Sequence, residues 1–208
     1  MGERRQAYRS VLWVLCWLVV LAGCYSVHQV KVTYRIPEAA NMLDGVLAYV
    51  DFKDERKDEE VLGPGAWREY KYYPGTLSLH LERGEGTPLE RGLYNVPELF
   101  KEVFGTRLRA LGAEVAERRS EADVVLLVAL REFKLDLVDR KWKAEMSYEA
   151  RMMSGEEVLA TQSVSGQAER VKIIGVGQAD QVMGDLFTDA VNRLEIREML
   201  RSSDLLDA

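Results

Sequence analysis

The chain contains few of the side chains that most often bind transition metals. Among 208 residues there are two cysteines, Cys16 and Cys24, and two histidines, His28 and His80. Neither histidine stands at ligand spacing from a second imidazole or thiolate, so we predict no metal site. His80 lies in a strand-like segment and is expected to be a structural residue rather than a general base.

The chain has fewer basic than acidic residues. The chain has 28 Lys and Arg residues against 34 Asp and Glu residues, which gives a formal net charge of -6. A surface that binds DNA or RNA needs clustered basic side chains to neutralise phosphates. We therefore predict that nucleic acid is not a partner of this protein.

Sequence signatures of catalysis are also missing. No G-x-S-x-G nucleophile motif occurs in the chain. Gly175 and Gly177 stand between a strand pattern and a helix pattern, as in a dinucleotide-binding loop. Asp180, however, occupies the position of the third glycine, where its charge would repel a phosphate. The sequence predicts no catalytic residue, no cofactor and no enzymatic activity.

One acidic run offers oxygen ligands of the type that calcium prefers. Lys53, Arg56 and Lys57 interleave with these carboxylates, and the mid-loop glycine of an EF-hand is lacking. We interpret the run as a solvated turn rather than a cation site. Its acidic members are Asp51, Asp54, Glu55, Asp58, Glu59 and Glu60.

No apolar run looks long enough for a membrane-spanning helix. Residues 11–23 are almost wholly apolar, whereas a helix that crosses a bilayer needs roughly 20 such residues. A positive segment, an apolar segment and a small-residue cleavage site, in this order, are typical of a secretory signal peptide. We predict that residues 1–23 form such a signal. The arginines before the run and the small residues that close it are Arg4, Arg5, Arg9, Ala22 and Gly23.

Residues 21–24, with the sequence LAGC, resemble the lipobox of bacterial lipoproteins position by position. In that motif the cysteine thiol is joined to a diacylglycerol and the signal is cut just before it. The resemblance implies that Cys24 is the lipid attachment site and connects the protein to a membrane. Two or three acyl chains, at about 0.8 kcal/mol per buried methylene, hold a protein on a bilayer for long times. The alternative, a core strand that ends in a buried cysteine, leaves the upstream arginines unexplained.

The rest of the chain predicts one α+β domain. Residues 24–44 are expected to form a lipidated tether, although VHQVKVTY alternates well enough to allow a strand. Residues 45–201 are expected to form the domain, and residues 202–208 a tail. Glycine and proline punctuate residues 62–95, which we interpret as a long loop holding one strand, TLSLHLE.

Two amphipathic helices and a meander of strands stand out within the domain. Apolar residues repeat at helical spacing over residues 96–111, with Asn95 as N-cap and Glu98 completing a capping box. A second helix is expected over roughly residues 178–201, and Ser154 and Gly155 suit a hairpin turn between two strands. We predict a mostly antiparallel sheet with the two helices packed on one face.

Four segments carry a family resemblance, namely VDFKDER at 50–56, LRALGAEV at 108–115, EADVVLLVALREFKLD at 121–136 and VSGQAER at 164–170. They resemble the YajG-type family of bacterial outer-membrane lipoproteins. The resemblance implies an envelope location and a small α+β module, with residues 62–95 as an insertion. Tyr25 rather than aspartate follows Cys24. In a Gram-negative host this implies the outer membrane, with the domain on its periplasmic face.

The segment AWREYKYYPG gives two alternatives. Aromatic side chains anchor many protein interfaces and also lie comfortably at a lipid headgroup boundary. We therefore consider Trp67, Tyr70, Tyr72 and Tyr73 as possible partner contacts. In the other interpretation they pack on the core of their own domain and give the segment its order.

Two function classes remain open on the sequence. In one, the protein is a non-enzymatic accessory lipoprotein that binds an envelope protein through the aromatic segment or a sheet edge. In the other, it binds a lipid or small apolar ligand between sheet and helices, as accessory components of envelope transport do. A filled core favours the first class, and an apolar cavity favours the second.

Overall fold

The computed structural model describes residues 29–40, 42–84 and 86–201, so the predicted signal peptide, Cys24, His28 and the predicted tail 202–208 lie outside the described residues. The strands are β1 Val30–Ile36, β2 Leu47–Asp54, β3 Leu77–Arg83, β4 Leu89–Tyr94, β5 Glu114–Val115, β6 Val124–Val138, β7 Lys141–Ser154 and β8 Glu157–Val171. The helices are α1 Pro64–Glu69, α2 Val96–Ala110, α3 Gly177–Asn192 and α4 Ile196–Arg201, with a 3-10 turn at Arg119–Glu121.

The larger sheet has five strands in the order β5-β2-β6-β7-β8. β2 runs parallel to both β5 and β6, whereas β6, β7 and β8 form an antiparallel meander. Side chains alternate along β7, where Ala144, Met146 and Tyr148 are buried while the residues between them are half-exposed. This alternation confirms the predicted meander with one face buried and the other exposed to solvent.

The smaller sheet has the order β1-β3-β4. β1 pairs with β3 in parallel, and α3 covers the other edge of β1. The side chain of Asp180 accepts a hydrogen bond from the Lys31 amide at 3.0 Å, and Thr188 accepts one from the Arg35 amide at 3.1 Å. Gly184 makes this approach possible, because a Cβ there would lie 3.2 Å from Thr33. A free sheet edge is thereby closed by helix side chains.

The two long helices, α2 and α3, pack on the buried face of the five-stranded sheet. Tyr148 of β7 contacts the ring of Phe104 in α2 at 5.6 Å and donates a hydrogen bond to the Ala190 carbonyl of α3. The ring of Phe100 lies at the centre of the core, 5.4 Å from the rings of Phe133 and Phe187. Such edge-to-face contacts add to the free energy gained by burying the rings.

The α+β class with two amphipathic helices is confirmed, and the predicted capping box is present. The Asn95 side chain accepts from the Glu98 amide at 2.9 Å, and the Glu98 carboxylate accepts from the Asn95 amide at 3.3 Å. The second predicted helix is divided into α3 and α4 after Asn192. Antiparallel pairing predominates as predicted, while the strands of the described residues divide between two mixed sheets, each with some parallel pairing.

Two stretches are more ordered than predicted. Residues 30–36 of the predicted tether form β1, which the alternation of VHQVKVTY allows. Residues 62–95, predicted as a long loop with the strand TLSLHLE, contain α1 and β4 besides that strand, which is β3. The physical reason is shared by both stretches, because β1 and β3 stabilise each other although they are distant in sequence. The pairing joins Val30 to Leu77. Within the described part of the chain, none of the helices has the length and apolar character needed to cross a bilayer.

Buried tyrosines predict a loss of stability at alkaline pH. Burial raises the pKa of Tyr34 from 10.0 to about 12, and burial likewise raises the pKa values of Tyr70, Tyr73 and Tyr148. Above about pH 10 the unfolded chain loses phenolic protons that the folded chain keeps, so the free energy of unfolding falls as pH rises. Urea unfolding at about pH 9 and about pH 11 measures this loss, and Tyr34→Phe should reduce the pH slope. An equal slope in the variant would contradict the assignment to Tyr34.

Candidate interaction surface

Helix α1 is held against β6 by the Asp136 carboxylate, which lies at the N-terminus of the helix, and by two glycines that allow close packing. The Asp136 side chain accepts hydrogen bonds from the amides of Gly65 at 2.8 Å and Ala66 at 3.1 Å, two donors that a helix cannot satisfy by itself. A Cβ on Gly63 would lie 2.3 Å from the Asp136 carboxyl carbon. The Gly63-Pro64-Gly65 sequence is therefore a docking element of α1 and not simply a loop.

The four aromatic residues predicted as partner contacts divide into two pairs. Tyr70 is fully buried, with its ring 6.0 Å from that of Trp142 and its hydroxyl donating to Asp180 at 2.9 Å. Tyr73 is also buried, and its ring contacts Trp67 at 5.8 Å. Trp67 and Tyr72 are 40% and 62% exposed. Tyr70 and Tyr73 thus pack on their own domain, while Trp67 and Tyr72 keep a surface available for contact.

A groove of about 440 Å³ opens beside the buried Tyr73. Across it lies Arg56, whose side chain is only 4% exposed. The guanidinium donates from Nε and Nη2 to the Asp54 carboxylate at 2.9 and 2.7 Å, and this hydrogen bonding lowers the pKa of Asp54. The groove is lined by Asp54, Arg56, Glu59, Glu60, Val61, Tyr73, Gly75, Asn95, Val96 and Pro97.

Two buried donors in this groove lack a hydrogen-bond partner among the described residues. They are Nη1 of Arg56 and the hydroxyl of Tyr73. Burial raises the pKa of Tyr73, and Glu60 raises it further, so the phenol stays protonated and able to donate. A buried donor without a partner costs free energy, which an oxygen acceptor from another molecule would recover. Both atoms lie beneath the groove surface, so a carbonyl or carboxylate oxygen of a partner reaches them when the side chains that cover them shift.

The sequence did not single out Arg56 as a contact residue. In the sequence pattern, Arg56 is one of the basic residues that interleave with the acidic run. The signal that was available is the spacing of Asp54 and Arg56, two residues apart at the end of a strand, which places both side chains on one side. The burial of Arg56 depends on the fold and has no signature in the sequence.

The acidic run itself is neutralised by bases, as the solvated-turn interpretation requires. Lys53 pairs with Glu55 at 2.6 Å, and Lys134 pairs with Asp58 at 2.6 Å. Arg119 reaches Asp51 at 3.1 Å. Within residues 29–40, 42–84 and 86–201, no three His, Cys, Asp or Glu side chains come together as a metal site would require.

His80 lies in a small polar cluster on β3. The Ser78 hydroxyl is 3.0 Å from Nε2 of His80 and 3.2 Å from Oε1 of Glu90. The Ser78 hydroxyl has one proton to donate, and the Glu90 carboxylate accepts it when Nε2 of His80 carries the ring proton. The three side chains form a hydrogen-bonded cluster that orients His80 on β3. Burial lowers the pKa of His80, which keeps the ring neutral.

The loop at Gly175 and Gly177 leads directly into α3. Asp180 in the first turn is committed to structural contacts, since its Oδ1 accepts from both the Lys31 amide and the Tyr70 hydroxyl. An aspartate in this position joins α3 to β1 and α1. The loop connects elements of the fold and has no phosphate-binding character.

The space between sheet and helices is occupied by side chains. The ring of Phe100 lies 5.4 Å from each of the rings of Phe52, Phe133 and Phe187. Phe100, Phe133 and Phe187 are buried. An apolar ligand there would have to displace packed aromatic rings, which interiors at crystal-like density resist. This observation favours surface recognition over ligand binding within the core.

Comparison with known proteins gives similarity of backbone only. No protein-family model matches the chain, and no curated protein matches its sequence. A Xanthomonas campestris protein of the DUF330 family shares 13% identity, with a TM-score of 0.49 and coverage of 83% of this chain and 98% of the other. A hypothetical protein from Chlamydia trachomatis shares 11%, with a TM-score of 0.44 and coverage of 77% and 98%.

A further solved structure is the lipoprotein GNA1162 from Neisseria meningitidis. It shares 13% identity, with a TM-score of 0.29 and coverage of 71% of this chain and 99% of the other. At such identities the similarities say nothing about function. Membership of the YajG-type family stays a prediction from the sequence.

Proposed function

We propose that this chain is a non-enzymatic envelope lipoprotein, anchored through Cys24, that serves as an accessory interaction module at a membrane. The YajG-type resemblance and Tyr25 after the lipidated cysteine support the outer membrane, with the domain facing the periplasm of a Gram-negative host. The LAGC motif after an arginine-led apolar run supports the anchor.

The observation that carries the interaction role is the pair of unpartnered donors in the groove. Nη1 of Arg56 and the hydroxyl of Tyr73 are buried, close to apolar Val61, Val96 and Pro97. Directed donors beside an apolar wall suit an extended segment of an envelope protein, whose carbonyl oxygens accept while its side chains cover the wall. A filled core beside this groove also favours a protein partner over a ligand within the core.

Crosslinking in cells tests this role. A photoreactive residue at Glu59, which is exposed on the groove wall, should yield a defined protein adduct, and one at exposed Glu157, the first residue of β8, should not. Tyr73→Phe removes only a hydroxyl that has no hydrogen-bond partner in the part of the chain that the structure describes. The free energy of unfolding of the Tyr73→Phe variant should differ from that of the parent protein by no more than about 1 kcal/mol, while the yield of the crosslinked adduct falls several-fold. An adduct that Tyr73→Phe leaves unchanged would contradict recognition through the groove.

The anchor has a separate test. Cys24→Ala should move the protein from the membrane fraction to the soluble fraction, because the acyl chains supply the membrane affinity. Mass spectrometry of the mature N-terminal peptide should show a diacylglycerol on Cys24 in the parent protein. An unmodified cysteine, or membrane retention of the variant, would refute the lipoprotein assignment.

A further inference from the structure

Exposed apolar side chains gather where two strands and a loop end. Ile173 and Ile174, in the loop between β8 and α3, are 73% and 85% exposed. Val138 and Val171 lie at the ends of β6 and β8, and both pair in register with Lys141. Together with Tyr72, these residues form what we call the apolar tip. Its members are Tyr72, Val138, Val171, Ile173 and Ile174.

Polar contacts bring the parts of the apolar tip to one end of the domain. The Lys172 amide donates to the Arg140 carbonyl at 2.9 Å, which ties the β8–α3 loop to the β6–β7 turn. The Lys172 ammonium pairs with Glu69 of α1 at 2.6 Å, which ties the same loop to the segment that leads to Tyr72. The turn, the loop and the end of α1 are therefore neighbours.

The described chain begins at this same end. Lys31, the second residue of β1, donates its amide to Asp180, and Tyr70 donates its hydroxyl to the same carboxylate oxygen. Asp180 lies in the first turn of α3, directly after the loop that carries Ile173 and Ile174. The first strand thus starts beside the apolar tip.

The length of chain before β1 limits the distance between the apolar tip and the anchor. Cys24 precedes Val30 by six residues, which span at most about 20 Å when fully extended. A bilayer that holds the acyl chains of Cys24 therefore lies within reach of this end of the domain. Tethering at such short range gives the second contact an effective concentration in the millimolar range, so weak insertion is enough.

We propose that the apolar tip docks on the bilayer that holds Cys24, with Ile173 and Ile174 at the boundary between headgroups and acyl chains. The inference rests on the proposed lipidation of Cys24. Charges around the tip are nearly balanced, with five basic and four acidic residues, so docking depends on apolar insertion and does not require anionic lipid. The nearby charged residues are Arg68, Glu69, Lys71, Asp139, Arg140, Lys141, Glu169, Lys172 and Asp180.

Depth-dependent quenching tests the docking on the mature, lipidated protein. The signal carries Cys16 and the lipid occupies the sulfur of Cys24, so an introduced cysteine is the one free thiol. An environment-sensitive dye is attached to Ile174→Cys, and separately to Val158→Cys as the matched control. Val158 is 48% exposed and lies at the opposite end of β8 from Val171. The proteins are reconstituted in phosphatidylcholine vesicles containing spin-labelled lipid.

The dye at position 174 should be quenched roughly twofold or more, since an interfacial segment lies about 5–10 Å into the headgroup boundary, whereas the dye at position 158 should stay unquenched. Ile173→Asp in the position-174 background should reduce quenching while the protein still floats with the vesicles. Equal quenching at positions 174 and 158 in a protein that floats would overturn the docking and leave the anchor intact. A mature peptide without lipid on Cys24 would overturn both proposals.

Discussion

Arg107→Ala should lower the free energy of unfolding by about 3–5 kcal/mol, because it removes three hydrogen bonds from one buried, charged side chain and leaves a cavity in its place. Arg107 is buried in α2, and its guanidinium donates to the carbonyl oxygens of Val191 and Leu194. It also donates to Oδ1 of Asn192 at 3.0 Å. The carbonyls of Val191 and Leu194 also accept from the amides of Leu194 and Ile196, so Arg107 adds a second, charged donor to each where α3 ends.

The charge of Arg107 is also well placed at this helix end. Burial lowers the pKa of Arg107, and the nearby phenols of Tyr34 and Tyr148 partly counter this effect. A guanidinium stays protonated under such conditions and interacts favourably with the negative end of the helix dipole. The residue therefore stabilises the position where the predicted second helix divides into α3 and α4.

Two variants separate this role from a general effect on α2. Arg107→Lys keeps the charge but loses the fork of donors, so it should recover less than half of the lost free energy. Arg109→Ala, exposed on the same helix, should change stability by no more than about 0.5 kcal/mol. Urea unfolding followed by circular dichroism measures all three. Equal losses for the two alanine variants would refute the capping role of Arg107.

Gly65→Ala should destabilise the domain by about 2–4 kcal/mol or detach α1 from β6. A Cβ at this position would lie 2.0 Å from the carbonyl oxygen of Leu137. The backbone on both sides is fixed, since Asp136 accepts from the amides of Gly65, Ala66 and Leu137. The methyl group can be accommodated only if the helix moves, and that movement breaks these hydrogen bonds.

Gly177→Ala is the matched control for this substitution. Gly177 starts α3, and a Cβ there would meet nothing within 4 Å. Replacing a glycine by alanine in a helix removes conformational freedom from the unfolded chain, so the variant should be neutral or more stable by up to about 1 kcal/mol. Tryptophan fluorescence in urea, to which Trp67 in α1 and Trp142 in β7 both contribute, measures the unfolding of the two variants. Similar stability of the two variants would contradict close packing at Gly65.

Local patterns explain which elements the sequence predicted. Helical spacing and the Asn95–Glu98 capping box define α2 within one residue at its end, and strand alternation defines β7. Both signals come from residues that are close together in the chain. The parallel pairing of Val30 with Leu77 joins residues far apart in sequence, and no local pattern encodes it. For this reason the sequence predicts the strand TLSLHLE within residues 62–95 but not its pairing with β1.

The candidate site was predictable only in part, for a similar reason. Aromatic composition drew attention to residues 67–73, but composition does not distinguish the buried Tyr70 from the exposed Tyr72. The donors of Arg56 and Tyr73 gain their character from burial beside Asn95 and Val61, which the tertiary fold alone brings near. The sequence pattern indicates loop punctuation at Gly63 and Gly65, whereas in the structure Gly63 packs on the Asp136 side chain and Gly65 on the Leu137 backbone.

The first strand has a mechanical consequence for a domain that is held by its N-terminal end. β1 is hydrogen-bonded to β3 along one edge and to Asp180, Thr188 and Asn192 of α3 along the other. A pull along the strand loads these bonds together in shear, so they cannot break one after another as in a zipper. Tension on the chain is thereby spread over both sides of β1 and reaches the body of the domain as a whole.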